Sequence, residues 1–141
     1  MIVTAFKNIL DTTNPFHVDV DVILERIRSD SYRAKIDSIR SSNDNTQRRN
    51  LKANLPSICF SGRFAKRTDK DLIEHSGLVV LDFDHVDNLK ALKNSVIADE
   101  YTFAAFISPS GDGLTVLVKI PPSKEDHELH YMALLKKYPD L

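Results

Sequence analysis

Two aspartates one residue apart, Asp82 and Asp84, close the apolar run Leu78-Val79-Val80-Leu81 that follows Gly77. An unbroken run of aliphatic and β-branched residues reads as a strand buried on both faces. Side chains alternate along a strand, so the two carboxylates project from one face, about 6–7 Å apart. Phe83 between them points the other way, into a core. Like charges set together at the end of a buried strand repel, and desolvation raises that cost. A divalent cation relieves it, and carboxylate oxygens are the ligands that Mg²⁺ and Mn²⁺ prefer. A pair of strand-end acids looking into solvent would need no cation. The apolar lead-in, which fixes the geometry of the pair, favours the metal.

A second stretch with chemical potential is Pro109-Ser110-Gly111-Asp112-Gly113. Glycines let successive backbone N–H groups turn toward an anion, and Ser110 adds a hydroxyl donor, so the stretch suits a phosphate. The same residues also make an ordinary hairpin turn. Taken with the acidic pair upstream, they supply carboxylates for a metal and a nest for the phosphates that the metal bridges. Nucleotidyl transfer requires that combination, because it is mostly positioning and charge neutralisation.

A net charge of −1 conceals a strong asymmetry: residues 1–25 carry −3, residues 26–70 carry +8 and residues 71–141 carry −6. A basic middle beside an acidic, metal-binding end fits a polyanionic partner. Arg48, Arg49 and Lys52 lie on the polar side of one expected helix. Arg63, Lys66 and Arg67 form a basic loop around Phe64, which suits phosphate contact and base stacking, or a solvated loop with Phe64 in the core. The sole cysteine, Cys59, cannot form an internal disulfide and reads as a packed thiol. His127 and His130, three apart on the last expected helix, lack a third ligand and read as surface residues. His85 reads as a turn residue.

These groups need a scaffold. The sequence predicts a strand over residues 1–7, a turn at Asn14-Pro15, and a helix from Asp19 on Val20, Ile23, Leu24 and Ile27, capped by Asp19 or Asp21. A second helix follows on Tyr32, Ile36 and Ile39, broken at 41–45, and a third over 46–55 ends at Pro56. Residues 57–62 read as a strand, 69–75 as a short helix, and 88–98 as an amphipathic helix. Strands at 101–107 and 114–120 form an antiparallel hairpin. Ser123 and Asp126 cap a last helix with Leu129, Met132 and Leu135 as its apolar stripe. The expectation is an α+β sandwich with four or five strands in one sheet. No run is long enough to span a membrane and no signal peptide is evident, so a single cytoplasmic domain is expected.

The segments HSGLVVLDFDHV and FAAFISPSGDGLTVLVKI, with LPSICFSGRF upstream, resemble the VirE N-terminal-type domain of Bacteroides-like mobile elements and phages. That family is related to the archaeo-eukaryotic primase superfamily. The resemblance spans roughly residues 50–138 and implies an RRM-like core sheet over 57–138 with flanking helices, preceded by a mainly helical part over 1–56. It implies a primase-type nucleotidyltransferase acting on nucleoside triphosphates and a DNA or RNA template, beside a helicase domain in longer proteins. Asp82 and Asp84 match the superfamily's metal-binding D-x-D. Ser110, Gly111 and Gly113 match the small-residue turn before its second motif. Where that motif carries a cation for the phosphates, this chain has Thr115, with Lys119 two alternations further on the same face. The third metal carboxylate would follow the last helix, so the 141 residues read as a domain truncated at its C-terminus.

Two other readings compete. A non-catalytic nucleic-acid-binding module on the same scaffold is favoured by Thr115 and by the missing third carboxylate. A haloacid dehalogenase-type phosphohydrolase would use Asp82 as nucleophile and Asp84 as general acid, with Val86 completing its first motif and Ser108 its second. That fold carries the motif on its first strand, and its later pair of acids is missing here.

Overall fold

Asp19 starts the first helix: its carboxylate accepts the Asp21 amide at 2.9 Å and caps α1 (Val20–Arg28). Val20 and Ile23 form the buried face of that helix. The computed structural model describes residues 1–138, and the chain divides into two units, Met1–Ser76 and Gly77–Leu141. In the first, β1 (Ile2–Phe6) lies between β2 (Phe16–Asp19) and β3 (Ser57–Cys59), antiparallel to both. Helices α2 (Arg33–Ser41) and α3 (Asn45–Ala53) pack on each other, and Asp44 caps α3 by accepting the Thr46 amide at 2.9 Å. A separate two-stranded ladder joins β4 (Gly62–Phe64) to β5 (Leu72–His75).

Val3, Phe6, Ile39, Phe60 and Phe64 are buried in this unit together with the polar Thr4. The Thr4 hydroxyl donates to the Gly62 carbonyl and accepts the Phe64 amide, both at 2.9 Å, so the buried group is fully partnered and ties β1 to β4.

In the second unit β6 (Leu78–Phe83) and β7 (Thr102–Ile107) flank β8 (Leu114–Lys119), all antiparallel. One face of this sheet presents Val79, Leu81, Phe83, Leu114, Val116 and Val118. Val96, Leu89 and Leu92 from α4 (Leu89–Ile97) and Leu134 from α5 (His127–Lys137) pack against that face. Full burial of a Leu or Val side chain contributes about 1.5–3 kcal/mol, so this face alone holds β6 firmly in place.

The architecture is α+β, with the strands shared among three sheets rather than gathered in one. Residues 57–76 fall in the first unit, apart from the strands that follow Gly77. Residues 69–75 form a 3-10 turn, Asp69–Asp71, and then β5 rather than a helix. A single helical turn is costly to nucleate, whereas Leu72–His75 gains ladder hydrogen bonds from β4. Strand β2 was not expected, since four residues between Pro15 and α1 are too few for alternation to register.

The last helix is rotated from its expected setting. Of the expected stripe Leu135 is half-buried, but Leu129 and Met132 are 68% and 51% exposed, while His127, His130, Leu134 and Tyr138 are half-buried. The Tyr138 ring meets Phe83 edge-on at 5.8 Å, and its hydroxyl donates to Asp99 at 2.9 Å. These contacts set the rotation. Among the described residues no helix is long and apolar enough to cross a membrane.

Candidate functional site

The alternation of β6 buries Leu81 and Phe83 and leaves Asp82 exposed, with Asp84 exposed just past the strand end. Across the ladder Asp82 stands opposite Thr115, and Thr115 stands opposite Phe106 on the far strand. The Thr115 hydroxyl donates to Asp82 Oδ1 at 2.9 Å. Thr115 therefore acts on the carboxylate, orienting one oxygen and leaving Oδ2 for another partner.

The turn from Ser108 to Gly113 is closed upon itself. The Ser108 amide donates to the Gly113 carbonyl at 2.9 Å, the Gly111 amide to the Ser108 carbonyl at 3.0 Å, and the Gly113 amide to Ser108 Oγ at 3.1 Å. Gly111 takes φ +87°, which favours glycine. A Cβ on Gly113 would lie 2.6 Å from the Phe83 carbonyl oxygen, so only glycine lets the turn approach β6 this closely. In this arrangement the Gly111 and Gly113 amides are spent inside the turn rather than aimed at an anion.

The turn is nonetheless fastened to the acidic strand end. The Val86 amide donates to the Asp112 carbonyl at 2.8 Å, and His85 Nδ1 lies 2.8 Å from Asp112 Oδ2. His85 holds φ +51°, a left-handed conformation uncommon outside glycine and tolerated best by Asn, Asp and His. The two stretches singled out by their residue types are thus brought together, and the His85–Asp112 contact is the part sequence reasoning missed. A histidine directly after D-x-D, facing an aspartate in a glycine turn, was its only visible sign.

Other candidates are placed differently. Lys119 pairs with Leu78 at the opposite end of the ladder. Four residues of strand, about 13 Å, separate it from Thr115. In the first unit Arg67 is committed internally: its guanidinium donates to Ser57 Oγ at 3.0 Å and to the Ile9 carbonyl, and lies 5.9 Å from the Phe6 ring centre. Arg63 lies 3.9 Å from Glu74, and Arg48 is half-buried. Lys66, Arg49 and Lys52 are exposed. Phe64, 8% exposed, belongs to the core and offers no stacking surface. His127 and His130 are half-buried on the packed side of α5 rather than on its outer surface.

Burial pushes the Cys59 thiol up, against a weaker downward pull from Arg67, which suits a packed thiol rather than a nucleophile. Among the described residues no three His, Cys, Asp or Glu side chains cluster to hold a metal. A cation held by the acidic pair alone would take most of its ligands from water.

No curated protein and no solved structure matches the chain significantly. The family model of the BT4734-like, N-terminal domain matches residues 50–139, which include β6, the glycine turn and β8. The chain therefore belongs to the BT4734-like N-terminal domain family.

Proposed function

We propose that this chain is a primase-like, metal-dependent nucleotidyltransferase domain, acting in the cytoplasm on nucleoside triphosphates and a nucleic-acid template. The observation that carries this reading is the D-x-D strand end fastened to the glycine turn through Val86 and Asp112. Two exposed carboxylates fit Mg²⁺ or Mn²⁺, hard ions that keep several waters and take further oxygens from substrate phosphates. When bound, such an ion neutralises phosphate charge and aligns the reacting groups. Asp82 offers Oδ2 while Thr115 fixes Oδ1, and Asp84 supplies the second carboxylate. Ser110 stands in the adjoining turn as a hydroxyl donor. Arg49, Lys52 and Lys66 are the exposed cations that would track the template backbone.

The resemblance to VirE N-terminal-type domains supports this reading. It implies a place in mobile-element or phage DNA replication, with a helicase domain in longer proteins.

The second reading, a non-catalytic nucleic-acid-binding module, is favoured by the closed turn, whose Gly111 and Gly113 amides are already bonded within it. The phosphohydrolase reading stands further behind, since five strands precede β6.

The deciding experiment is incorporation of labelled nucleotide on a single-stranded template with Mn²⁺ or Mg²⁺. Metal-dependent incorporation that disappears in the Asp82→Asn/Asp84→Asn chain supports the transferase. Tight, salt-sensitive DNA binding with no metal effect and no incorporation supports the bare module. A covalent aspartyl adduct with beryllium fluoride would support the phosphohydrolase.

A further inference from the structure

Helices α2 and α3 of the first unit pack on each other and leave a cleft of about 300 Å³ between them. Ala34, Lys35 and Ser38 line it from one face of α2, where residues three and four apart are neighbours. Leu51 and Asn54 line it from the end of α3. The floor is apolar, made by Ala34 and Leu51. The Ser38 hydroxyl donates to the Ala34 carbonyl at 2.9 Å, so its proton is committed. Asn54 closes α3 through its backbone amide, which donates to the Leu51 carbonyl at 3.2 Å, and its side chain has no partner among the described residues. Lys35 is exposed and likewise without a partner among them. The cleft thus offers an apolar floor and two free donors, one of them charged, from its two walls. The charge around it is one-sided: residues 33–54 carry six Lys or Arg against two Asp. One of those acids, Asp44, is occupied as the cap of α3. Arg49 and Lys52 extend the field along α3, exposed and without partners among the described residues.

We infer that the α2–α3 cleft binds single-stranded nucleic acid, seating one base on Leu51 and Ala34 while Lys35 and Asn54 hold a backbone phosphate. This site rests on the nucleic-acid binding that the transferase and the bare module share, and it needs no metal. A continuous polyanion answers a basic field that runs past the cleft along α3. The volume suits a single base, and only a strand whose bases are unpaired can place one there. An aliphatic floor reads no base edge, so the contact is tolerant of sequence.

The test measures binding of a fluorescein-labelled single-stranded DNA, of its duplex and of polyglutamate, in EDTA and across a salt titration. The proteins are the wild-type chain, Lys35→Gln, Lys35→Arg, Asn54→Ala, Asp82→Asn/Asp84→Asn, and Lys90→Gln, an equal loss of charge at an exposed lysine of α4. Wild type, Lys90→Gln and the double aspartate variant should bind the single strand alike. In Lys35→Gln binding weakens, and the slope of log affinity against log salt flattens by about 0.7, the contribution of one phosphate contact on a single strand. Lys35→Arg keeps the slope. Asn54→Ala binds about fivefold more weakly with the slope unchanged, because it removes a hydrogen bond and no charge. A wild-type slope in Lys35→Gln, or equal losses in Lys35→Gln and Lys90→Gln, would overturn the cleft and leave the transferase to the incorporation assay. Duplex bound as tightly as single strand would overturn the seated base. Polyglutamate bound in place of DNA would overturn the site in favour of an acidic protein partner. Absence of DNA binding by the wild-type chain would overturn the cleft and the bare-module reading together.

Discussion

The Thr115 hydroxyl donates to Asp82 Oδ1 at 2.9 Å across the β8–β6 ladder, where the two residues stand directly opposite one another. Thr115→Val keeps the β-branched shape and removes only the donor. With the carboxylate no longer oriented, Mn²⁺ affinity should fall about fivefold, the worth of one exposed hydrogen bond of about 1 kcal/mol. Thr115→Ser should restore it. Titration of Mn²⁺ by calorimetry reads both variants, and an unchanged affinity in Thr115→Val would show that the hydroxyl does not prepare the carboxylate.

His85 joins a left-handed backbone, φ +51°, to a side-chain contact with Asp112 at 2.8 Å. His85→Ala loses the contact and keeps the strained backbone, whereas His85→Gly loses the contact and relieves the strain. A left-handed conformation costs an ordinary residue about 1–2 kcal/mol. His85→Gly should therefore be the more stable variant by about 1 kcal/mol in urea denaturation. The opposite order would contradict the positive φ at this position.

Asp99 anchors the end of α5. Its carboxylate accepts from the Lys137 ammonium, from the Tyr138 hydroxyl at 2.9 Å and from the Tyr101 amide at 2.9 Å. The Lys137 hydrogen bond, and then the Tyr101 amide, hold the Asp99 carboxyl below its usual range. The Asp99 hydrogen bond raises Lys137, and burial first of all raises Tyr138. A depressed carboxyl contributes its full stability above the ordinary unfolded value, about 3.9, and loses it as pH falls through the folded value. The raised Lys137 and Tyr138 contribute below their ordinary unfolded values, about 10.4 and 10, and lose that contribution as pH rises through the folded values. The melting-temperature gap between wild type and Asp99→Asn should therefore be widest near neutral pH and close in acid. A gap that persists unchanged through pH 3 would contradict the anchor.

Much of this was legible in the sequence because it depends on local chemistry. The Leu78–Leu81 run marked β6, alternation put Asp82 and Phe83 on opposite faces, and two glycines marked the β7–β8 hairpin. Asp19 announced its helix through a side chain that reaches only two residues along the chain. What escaped depends on distant partners. The strand at Leu72–His75 exists because β4 lies beside it, and α5 turns Leu129 outward because Tyr138 finds Phe83 and Asp99. Thr115 reads as a phosphate contact until the ladder register sets it against Asp82. The commitment of Arg67 to Phe6, Ser57 and the Ile9 carbonyl is likewise a product of folding that charge counting does not reveal.

Thermal melting of the wild-type chain and of Asp82→Asn/Asp84→Asn across a Mn²⁺ titration tests the carboxylate pair most directly. A cation bound only by the folded chain stabilises it by about 2.7 kcal/mol at a hundredfold excess over Kd. A saturable rise in Tm for wild type that vanishes in the double variant is the predicted result. An equal rise in both proteins, or no rise in wild type at any Mn²⁺ concentration, would contradict a metal role for Asp82 and Asp84.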